Sequence, residues 1–291
     1  MKAKFDSFNG IRTRYFESGK GPNVVLIHGG QFGSYDNAVA WSLNINELAQ
    51  KFHVVAFDKF GMGYTDGPLE DKDFTMQTTI NHANLIINKL GVDKFALVGH
   101  SRGGLVAARM SLLYPKRITA LTIVDSNTLA PDDPSLPHDF YSKLEKKART
   151  PETRESSIRE LEANSFSKEH ITRELKEEWF KVASLPSIIS IRKRFNGFAN
   201  PNVLSDLVQL KRDTLAQIES RKLKAPTLIV WGNNDPSAPV SLSHRLFEIV
   251  SKSVSNCQLH IFNRAGHYSF REKASDFNLL TMNFFLSANS P

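Results

Sequence analysis

A serine, an aspartate and a histidine occur in an order that could perform nucleophilic catalysis. Ser101 lies in the stretch GHSRGG, Asp235 in WGNNDPSAP and His267 in NRAGHYSFRE. A serine hydroxyl becomes a nucleophile when a histidine takes its proton, and the histidine needs a carboxylate that orients its ring. These three residue types could therefore transfer an acyl group through a serine ester.

The residues around Ser101 are unusually small. Gly99 precedes the serine, and Gly103 and Gly104 follow it. Glycine weakens the interior of a strand or helix, so such a cluster needs a structural reason. A Gly-x-Ser-x-Gly turn between a strand and a helix provides one, because it exposes the serine at the top of a sheet and brings strand and helix close together. The turn also places Ser101 at a helix N-terminus, where free N–H groups stabilise negative charge.

Two aspartates compete for the role of the orienting acid. Asp235 follows the apolar run TLIVWG, and Asp125 ends the run LTIVDS. We favour Asp235, because it gives the chain order Ser, Asp, His, and because Asp125 is placed to cap the exit from its strand. Asp235 and His267 would both lie at the carboxyl edge of neighbouring strands, where sites in parallel sheets form.

Acyl transfer also needs two N–H donors for the oxyanion. Arg102 supplies a backbone N–H directly after the serine, and the second donor is expected from Gly30 or Gln31 in the loop after VVLIH. The sequence does not separate these two candidates. His28 is predicted to support this loop, and no spacing of histidines indicates a metal site.

Composition excludes several classes of protein. The chain has 291 residues, 41% hydrophobic and 23% charged, with one cysteine, which rules out an internal disulfide and a thiolate metal cluster. The net charge of +7 is spread evenly, with 14 basic and 11 acidic residues in 1–130, 17 and 15 in 131–222, and 6 and 4 in 223–291. No basic arm for nucleic acid is indicated. Without an apolar leader or membrane-length segment, we expect a cytoplasmic protein. Cys257 is predicted to be a buried structural thiol.

Short apolar runs alternate with helical patterns along the chain. KFDSF and IRTRYFE, joined by Asn9-Gly10, indicate a hairpin. The segments 75–91 and 103–115 have helical spacing and end at Gly91 and Pro115. This alternation predicts an α/β fold with a mostly parallel sheet and helices on both faces. The predicted buried strands are 24–29, 53–58, 95–100, 121–126, 227–232 and 258–262.

The alternation stops between residues 131 and 222, which are rich in Lys, Glu and Arg at helical spacing. We predict a core domain of residues 1–130 and 223–291, with 131–222 forming a helical cap, or lid, over one edge of the sheet. Additional core helices are the alternative. The cap would close an apolar pocket, for which the candidates, each also compatible with a core role, are Phe32, Trp41, Phe140, Trp179, Phe180 and Phe195.

With these motifs in place, the chain outside residues 131–222 resembles the α/β-hydrolases. The resemblance rests on the HGG loop, DKFGMGYTD, GHSRGG, WGNND and AGHYSF. It implies a mostly parallel sheet flanked by helices with a helical cap, a Ser101–His267–Asp235 triad and no cofactor. Within the superfamily, LIVWGNNDPSAPV and LHIFNRAGHYSFREKASDFNLLTMNFF are most similar to meta-cleavage product hydrolases, which cut a carbon–carbon bond in dienol-ketone acids.

The chain departs from that family at three positions. It has His100 where the family often has asparagine, Tyr268 where it often has tryptophan, and Trp179 at the position that matches a cap arginine which holds the substrate carboxylate. Arg192 or Arg194 could take over that role, and a surface salt bridge is the alternative for both. The predicted substrate pocket therefore comprises His100, Phe32, Trp179, Arg192, Arg194 and Tyr268.

The resulting hypothesis is a serine hydrolase of a small aromatic or oxo-acid substrate. A carboxylesterase or lactonase of small esters is the alternative, and a non-catalytic ligand-binding protein on the same fold is a minor one. An arginine of the cap pointing into the pocket would favour the oxo acid. The expected partner is a small molecule, not nucleic acid or a membrane, and the resemblance also allows a homodimer through the cap helices.

Overall fold

The computed structural model describes residues 2–136, 140–145, 153–195 and 201–288. Within them, eight strands form a single sheet. The strands are β1 Lys4–Phe8, β2 Ile11–Ser18, β3 Asn23–Ile27, β4 His53–Phe57, β5 Phe95–His100, β6 Ile118–Val124, β7 Thr227–Gly232 and β8 Cys257–Phe262, in the spatial order β1-β2-β4-β3-β5-β6-β7-β8. The helices are α1 Ile45–Leu48, α2 Met76–Lys89, α3 Arg102–Leu113, α4 Phe140–Glu145, α5 Arg154–Ser157, α6 Arg159–Ala163, α7 Arg173–Ala183, α8 Pro186–Phe195, α9 Pro201–Glu219, α10 Ser241–Ser253, α11 Ser269–Glu272 and α12 Ala274–Ala288.

The sheet is antiparallel at one edge and parallel elsewhere. β1 pairs with β2, and β2 with β4, in antiparallel register, while all the other pairs are parallel. Asn9 and Gly10 form the tight turn of the predicted hairpin, with φ of 51° and 85°. This combination of two residues at positive φ gives the twist that a two-residue hairpin needs. The prediction of a mostly parallel α/β sheet is confirmed.

The predicted strands β3 to β8 are all present, and those in the centre of the sheet are buried on both faces. Every residue of β5 and β7 is buried. β8 differs because it lies at the edge, where most of its residues are only partly buried. Cys257, at the start of β8, is therefore only partly buried, and the prediction of a buried thiol is wrong. Burial still raises the pKa of its thiol to about 12.

Helices cover both faces of the sheet and form two apolar cores with it. On one face, α2, α3 and α10 pack against the odd-numbered side chains of the central strands. On the other face, α1, α12 and the cap helix α7 pack against the even-numbered ones. Among the described residues, α4 to α9 lie between β6 and β7, where the cap is predicted. The last of these, α9, packs on α2, α3 and α10, so this part of the inserted segment lies against the main helical layer. No described helix has the length and apolarity that a bilayer crossing requires.

Candidate active site

Ser101 lies at the carboxyl edge of the sheet, between the last residue of β5 and the first of α3. Its φ of 52° falls in a region that non-glycine residues rarely occupy, which indicates local strain of the kind found at functional sites. Three hydrogen bonds hold this backbone: the Ser101 N–H donates to Val124 O (2.8 Å), and its carbonyl accepts from Ser126 Oγ (2.6 Å) and from the Gly104 N–H (2.8 Å). The turn thus holds the serine at the junction of strand and helix.

The glycines around Ser101 are required by close packing, as their spacing predicted. A Cβ at Gly99 would overlap the carbonyl of Gly103. A Cβ at Gly103 would lie 2.5 Å from Ile27 O on β3, and one at Gly104 would lie 2.6 Å from the Ser126 side chain. Since Cβ atoms do not approach other atoms so closely, larger residues would push α3 away from the sheet.

His267 and Asp235 form a buried hydrogen-bonded pair beside this turn. His267 Nδ1–H donates to Asp235 Oδ2 at 2.6 Å, and the two residues are 3% and 5% exposed. Asp235 Oδ1 is held by the N–H groups of Ser237 and Ala238, both at 2.8 Å. Burial disfavours the imidazolium, but the charge and hydrogen bond of Asp235 outweigh this effect and raise the pKa of His267 to about 9.

Asp125, the rival acid, has other partners. Its Oδ1 accepts from the Gly232 N–H at 2.7 Å, and its Oδ2 accepts from Ser269 Oγ at 2.5 Å. Asp125 therefore ties the end of β6 to β7 and to α11, and it makes no hydrogen bond to His267. Burial, together with the nearby charge of Asp235, raises its pKa well above the usual value. The geometry favours Asp235 as the partner of the histidine.

The loop that carries His267 is fastened to the cap. The His267 N–H donates to Asn164 O at 2.8 Å, and the Glu272 carboxylate accepts from the N–H groups of Gly266 (2.9 Å) and Ser167 (2.8 Å). His100 adds a further contact, because its Nε2–H donates to the carbonyl of His267 at 2.8 Å. Asn164 and Ser167 belong to the segment between α6 and α7, so the cap positions the histidine; the sequence offered no signal for this contact.

The loop after β3 is locked in one conformation. His28 Nδ1–H donates to Gly29 O (2.9 Å), while its Nε2 accepts from the Lys59 N–H (3.0 Å). This pattern needs a neutral ring, and burial lowers the pKa of His28 well below its usual value. Gly30, with φ of 76°, presents its carbonyl to Lys59 Nζ at 2.9 Å. His28 thus supports the loop, as its position predicted.

A cavity lies beside Arg102, the residue that follows the serine. Gly30, Gln31 and Arg102, the three residues predicted to stabilise an oxyanion, all contribute to its wall, although Ser101 and His267 do not. The structure therefore brings the oxyanion candidates together without separating Gly30 from Gln31. The remaining lining residues are Phe32, Lys59, Phe60, Met62, Phe74, Met76, Thr79, Asp206 and Leu207.

The side chain of Ser101 makes no hydrogen bond to His267 among the described residues. Such bonds are often long in ligand-free enzymes and shorten when substrate binds. The elements nevertheless place both residues at the same edge: Ser101 follows β5, and His267 follows β8 with its ring 4.8 Å from that of His100, the neighbour of the serine.

The aromatic pocket candidates divide into three groups. Phe32 lines the cavity and packs on Phe195 of α8, with ring centroids 5.6 Å apart. Trp41, Trp179 and Tyr268 are buried in the core between sheet and cap; Trp41 contacts Phe270 at 4.2 Å. The other two lie away from the cavity wall: Phe140 packs on Tyr141, and Phe180 lies beneath the Arg154 guanidinium.

The two candidate cap arginines have distinct surroundings. Arg194 donates to the Asp71 carboxylate (2.8 Å) and to the carbonyls of Pro68 (2.7 Å) and Leu69 (2.9 Å), so it takes the surface role that the sequence left open. Arg192 donates from Nε to Gly33 O (3.2 Å) and stacks over the Tyr35 ring at 4.5 Å. Neither arginine lines the cavity.

Lys59 was missed among the predicted site residues. It directly follows Asp58 at the end of β4, is 2% exposed, and lies in the DKFGMGYTD segment. The available signal was a lysine two residues beyond the end of a buried strand, at the edge where the site forms. Among the described residues, no group of three or more His, Cys, Asp or Glu could hold a metal ion.

Residues 22–274 match the family model described as alpha/beta hydrolase fold. The chain is 27% identical to a 2-hydroxy-6-oxo-6-(2'-aminophenyl)hexa-2,4-dienoic acid hydrolase of Metapseudomonas resinovorans, over 97% of this chain and 90% of that protein. A 2-hydroxymuconate semialdehyde hydrolase of a Pseudomonas species is 28% identical, over 97% of this chain and 93% of that protein.

A solved structure also resembles this chain over almost its whole length. A mutant of the meta-cleavage product hydrolase of Pseudomonas fluorescens, complexed with acetates, superposes with a TM-score of 0.78 at 27% identity, over 98% of both chains. The resemblance noted from the motifs is thereby confirmed over the full length. The chain belongs to the α/β hydrolase fold family, and within that family it is similar to the meta-cleavage product hydrolases.

Proposed function

We propose that this chain is a serine hydrolase in which Ser101 is the nucleophile, His267 the base and Asp235 the acid that orients it. The observation that carries the proposal is the buried 2.6 Å bond between His267 Nδ1 and Asp235 Oδ2, at the sheet edge where the strained Ser101 lies. A buried histidine paired in this way presents its Nε2 as the proton acceptor.

The reaction follows from these positions. Ser101 Oγ bonds to the carbonyl carbon of the substrate while its proton passes to His267 Nε2, and the carbonyl oxygen becomes an oxyanion. The N–H groups of Arg102 and of Gly30 or Gln31 stabilise that oxyanion. As the leaving group departs it takes the proton from His267, which leaves an acyl-serine. Water then attacks the ester, and the acid product and free Ser101 are released.

We further propose that the bond cleaved is the carbon–carbon bond of a 2-hydroxy-6-oxo-dienoic acid. The relatives with 27% and 28% identity are named for hydrolysis of acids of this type. The cavity supports a flat unsaturated substrate, because Phe32, Phe60 and Phe74 contribute to its wall.

Hydrolysis of a small carboxylic ester is the second candidate. It is favoured by the positions of Arg192 and Arg194, since neither lines the cavity as the cap arginine of a carbon–carbon hydrolase would be expected to do. An ester requires no anchor for a carboxylate.

The first experiment follows the yellow absorbance of a 2-hydroxy-6-oxo-dienoic acid in the presence of the wild-type chain and of Ser101→Ala. Decay that vanishes in the variant would support carbon–carbon hydrolysis by the serine. No decay, from a wild-type chain that still cleaves a short nitrophenyl ester, would contradict it and leave an esterase. If neither compound is cleaved, the proposed triad is wrong and a ligand-binding role replaces it.

A further inference from the structure

Two basic residues lie together in the wall of the cavity beside the oxyanion loop. Lys59 follows β4 and is 2% exposed, and Arg102 begins α3 directly after the serine and is partly exposed. Both line the cavity together with Gly30 and Gln31. Burial together with repulsion from the Arg102 charge lowers the pKa of Lys59 to about 7, so the two cations are near enough to repel each other.

The Lys59 ammonium has donors to spare. Within the described part of the chain its one hydrogen bond goes to Gly30 O at 2.9 Å, although an ammonium carries three N–H groups. No carboxylate of the described residues forms an ion pair with it. A buried cation with a single neutral partner is costly unless an anion completes its coordination.

The carboxylates around the cavity do not supply this anion to Lys59. Asp206, which also lines the cavity, accepts from the Met76 N–H at 2.7 Å, at the first residue of α2. Asp36 lies close to Gly30 and attracts Lys59, but its two oxygens face Tyr268 Oη and Ser34 Oγ, each at 3.4 Å. Among the described residues, no carboxylate therefore accepts a hydrogen bond from Lys59 at this end of the cavity.

The rest of the wall is apolar except for Thr79. Phe32 and Phe74 pack edge to face with centroids 5.2 Å apart, and Phe60 contacts Phe32 at 6.4 Å. Met62, Met76 and Leu207 also line the cavity, and Ile191 and Phe195 of α8 pack with Phe32 and Phe74. Aromatic walls and a cationic end are the chemistry that recognises a planar, unsaturated carboxylic acid.

We propose that Lys59 and Arg102 bind the carboxylate of the substrate, in the place of a cap arginine. The proposal rests on the function proposed above and deepens it, because it gives this chain a carboxylate anchor on the core domain. Charge-assisted hydrogen bonds from an ammonium and a guanidinium are the interactions that recognise a carboxylate best. Arg102 directly follows Ser101 in the chain, so a substrate held at this end of the cavity would extend toward the serine.

The test measures binding without turnover. Benzoate, a planar unsaturated carboxylate, and its neutral isostere benzamide are titrated calorimetrically into the full-length Ser101→Ala chain. In this background, Lys59→Met and Arg102→Met should each weaken benzoate binding about tenfold or more, the loss expected for one charge-assisted hydrogen bond. Benzamide binding should change less than about twofold by the same reasoning. Lys59→Arg and Arg102→Lys, which keep the charge, should restore most of the benzoate affinity.

Arg194→Met provides the matched control, because it removes a cation that lies outside the cavity. It should leave benzoate affinity unchanged. Equal loss of benzoate and benzamide binding in Lys59→Met would overturn the proposal and show that Lys59 only shapes the oxyanion loop. Loss in Arg194→Met but not in the cavity variants, or no benzoate binding by the parent, would also overturn it. This experiment measures binding and cleaves no bond. If the proposed triad is wrong, the activity assays will show it, and the binding result will still test the carboxylate anchor.

Discussion

Two aspartates, Asp125 and Asp235, lie at the ends of adjacent parallel strands, and their hydrogen bonds give them different roles. Asp235 has one oxygen on His267 and the other on backbone N–H groups, whereas both oxygens of Asp125 are used to join β6, β7 and α11. The charge of Asp235 controls the histidine, because it raises the pKa of His267 to about 9 against the effect of burial. His267 is consequently protonated in most molecules below that pH, whereas the base proposed here must be neutral to accept a proton.

Asp235→Asn should remove the cause of this raised pKa. In the wild-type chain kcat/KM is expected to rise with pH up to about 9, because only neutral His267 accepts the serine proton. In Asp235→Asn the pKa of His267 should fall, since the charge and hydrogen bond that oppose the effect of burial most strongly are lost, and kcat should drop about 10⁴-fold through loss of the correct tautomer. NMR titration of the His267 ring in a Ser101→Ala background measures the pKa directly.

Asp125→Asn is the control for that experiment. It keeps the Asp235–His267 bond, so its effect on the His267 pKa should be much smaller than that of Asp235→Asn. A larger shift in Asp125→Asn would show that the acid had been assigned to the wrong strand.

For single residues, the sequence could predict the roles that depend on neighbours close by in the sequence. Ser101 and its glycines are specified by a strand and a helix that are contiguous with them, so the local pattern sufficed. Lys59 and the carbonyl of Gly30 are 29 residues apart, and their contact depends on β3 and β4 pairing in parallel. Nothing in a local pattern indicates that a lysine points inward, which is why Lys59 was missed.

Among the elements, the strands were predictable and the docking of the cap was not. Apolar runs such as TLIVWG and FALVGH are strands with the same bounds as the runs themselves, because strands buried on both faces have a continuous apolar signal. The amphipathic pattern of α7 predicted a helix but not the surface it covers. Polar contacts of this helix with the sheet, such as that of Glu178 with Arg14, leave no periodic trace in the sequence.

One ion pair fastens α7 to the sheet and can be tested. Arg14 on β2 donates to Glu178 on α7 at 2.5 Å and also to Asp58 at 2.7 Å. Glu178→Gln should weaken the first of these bonds and destabilise the cap by about 1–2 kcal/mol, because Arg14 is almost fully buried and Glu178 mostly so. Amide hydrogen exchange should show that the substitution speeds the opening of α7 relative to the wild-type chain more than it speeds the opening of β5.

Glu177→Gln is the matched variant on the same helix. Glu177 pairs with Arg154 on the exposed side of α7, so its removal should leave both the exchange of α7 and the thermal midpoint within error. Equal effects of the two variants would mean that the buried pair does not hold the cap.

On the scale of the whole molecule, the charges are dispersed but the buried ionisable groups are concentrated at one edge of the sheet. The net charge of +7 belongs to side chains spread over the whole chain, as the even distribution along the sequence indicated. His28, Lys59, His100, Asp125 and His267 are instead buried and follow or end β3 to β8. Topology brings these groups together, and their altered pKa values make the free energy of unfolding depend on pH.

Lys59 and His267 should give pH dependences of opposite sign. The pKa of Lys59 falls from 10.5 to about 7 on folding, so between these values the unfolded chain binds more protons and stability rises with pH. The pKa of His267 rises from 6.5 to about 9, so its contribution to stability is fully present below pH 6.5 and is lost as pH rises through 9.

Urea unfolding of the wild-type chain, Lys59→Met and His267→Gln from pH 6 to 10 measures both pH dependences. The stability of the wild-type chain relative to Lys59→Met should increase from pH 7 to 10 by up to about 4 kcal/mol. Relative to His267→Gln it should decrease from pH 6.5 to 9. Parallel curves for all three proteins would mean that neither group is titrated by folding, and that the charges at the site are solvated more than their burial implies.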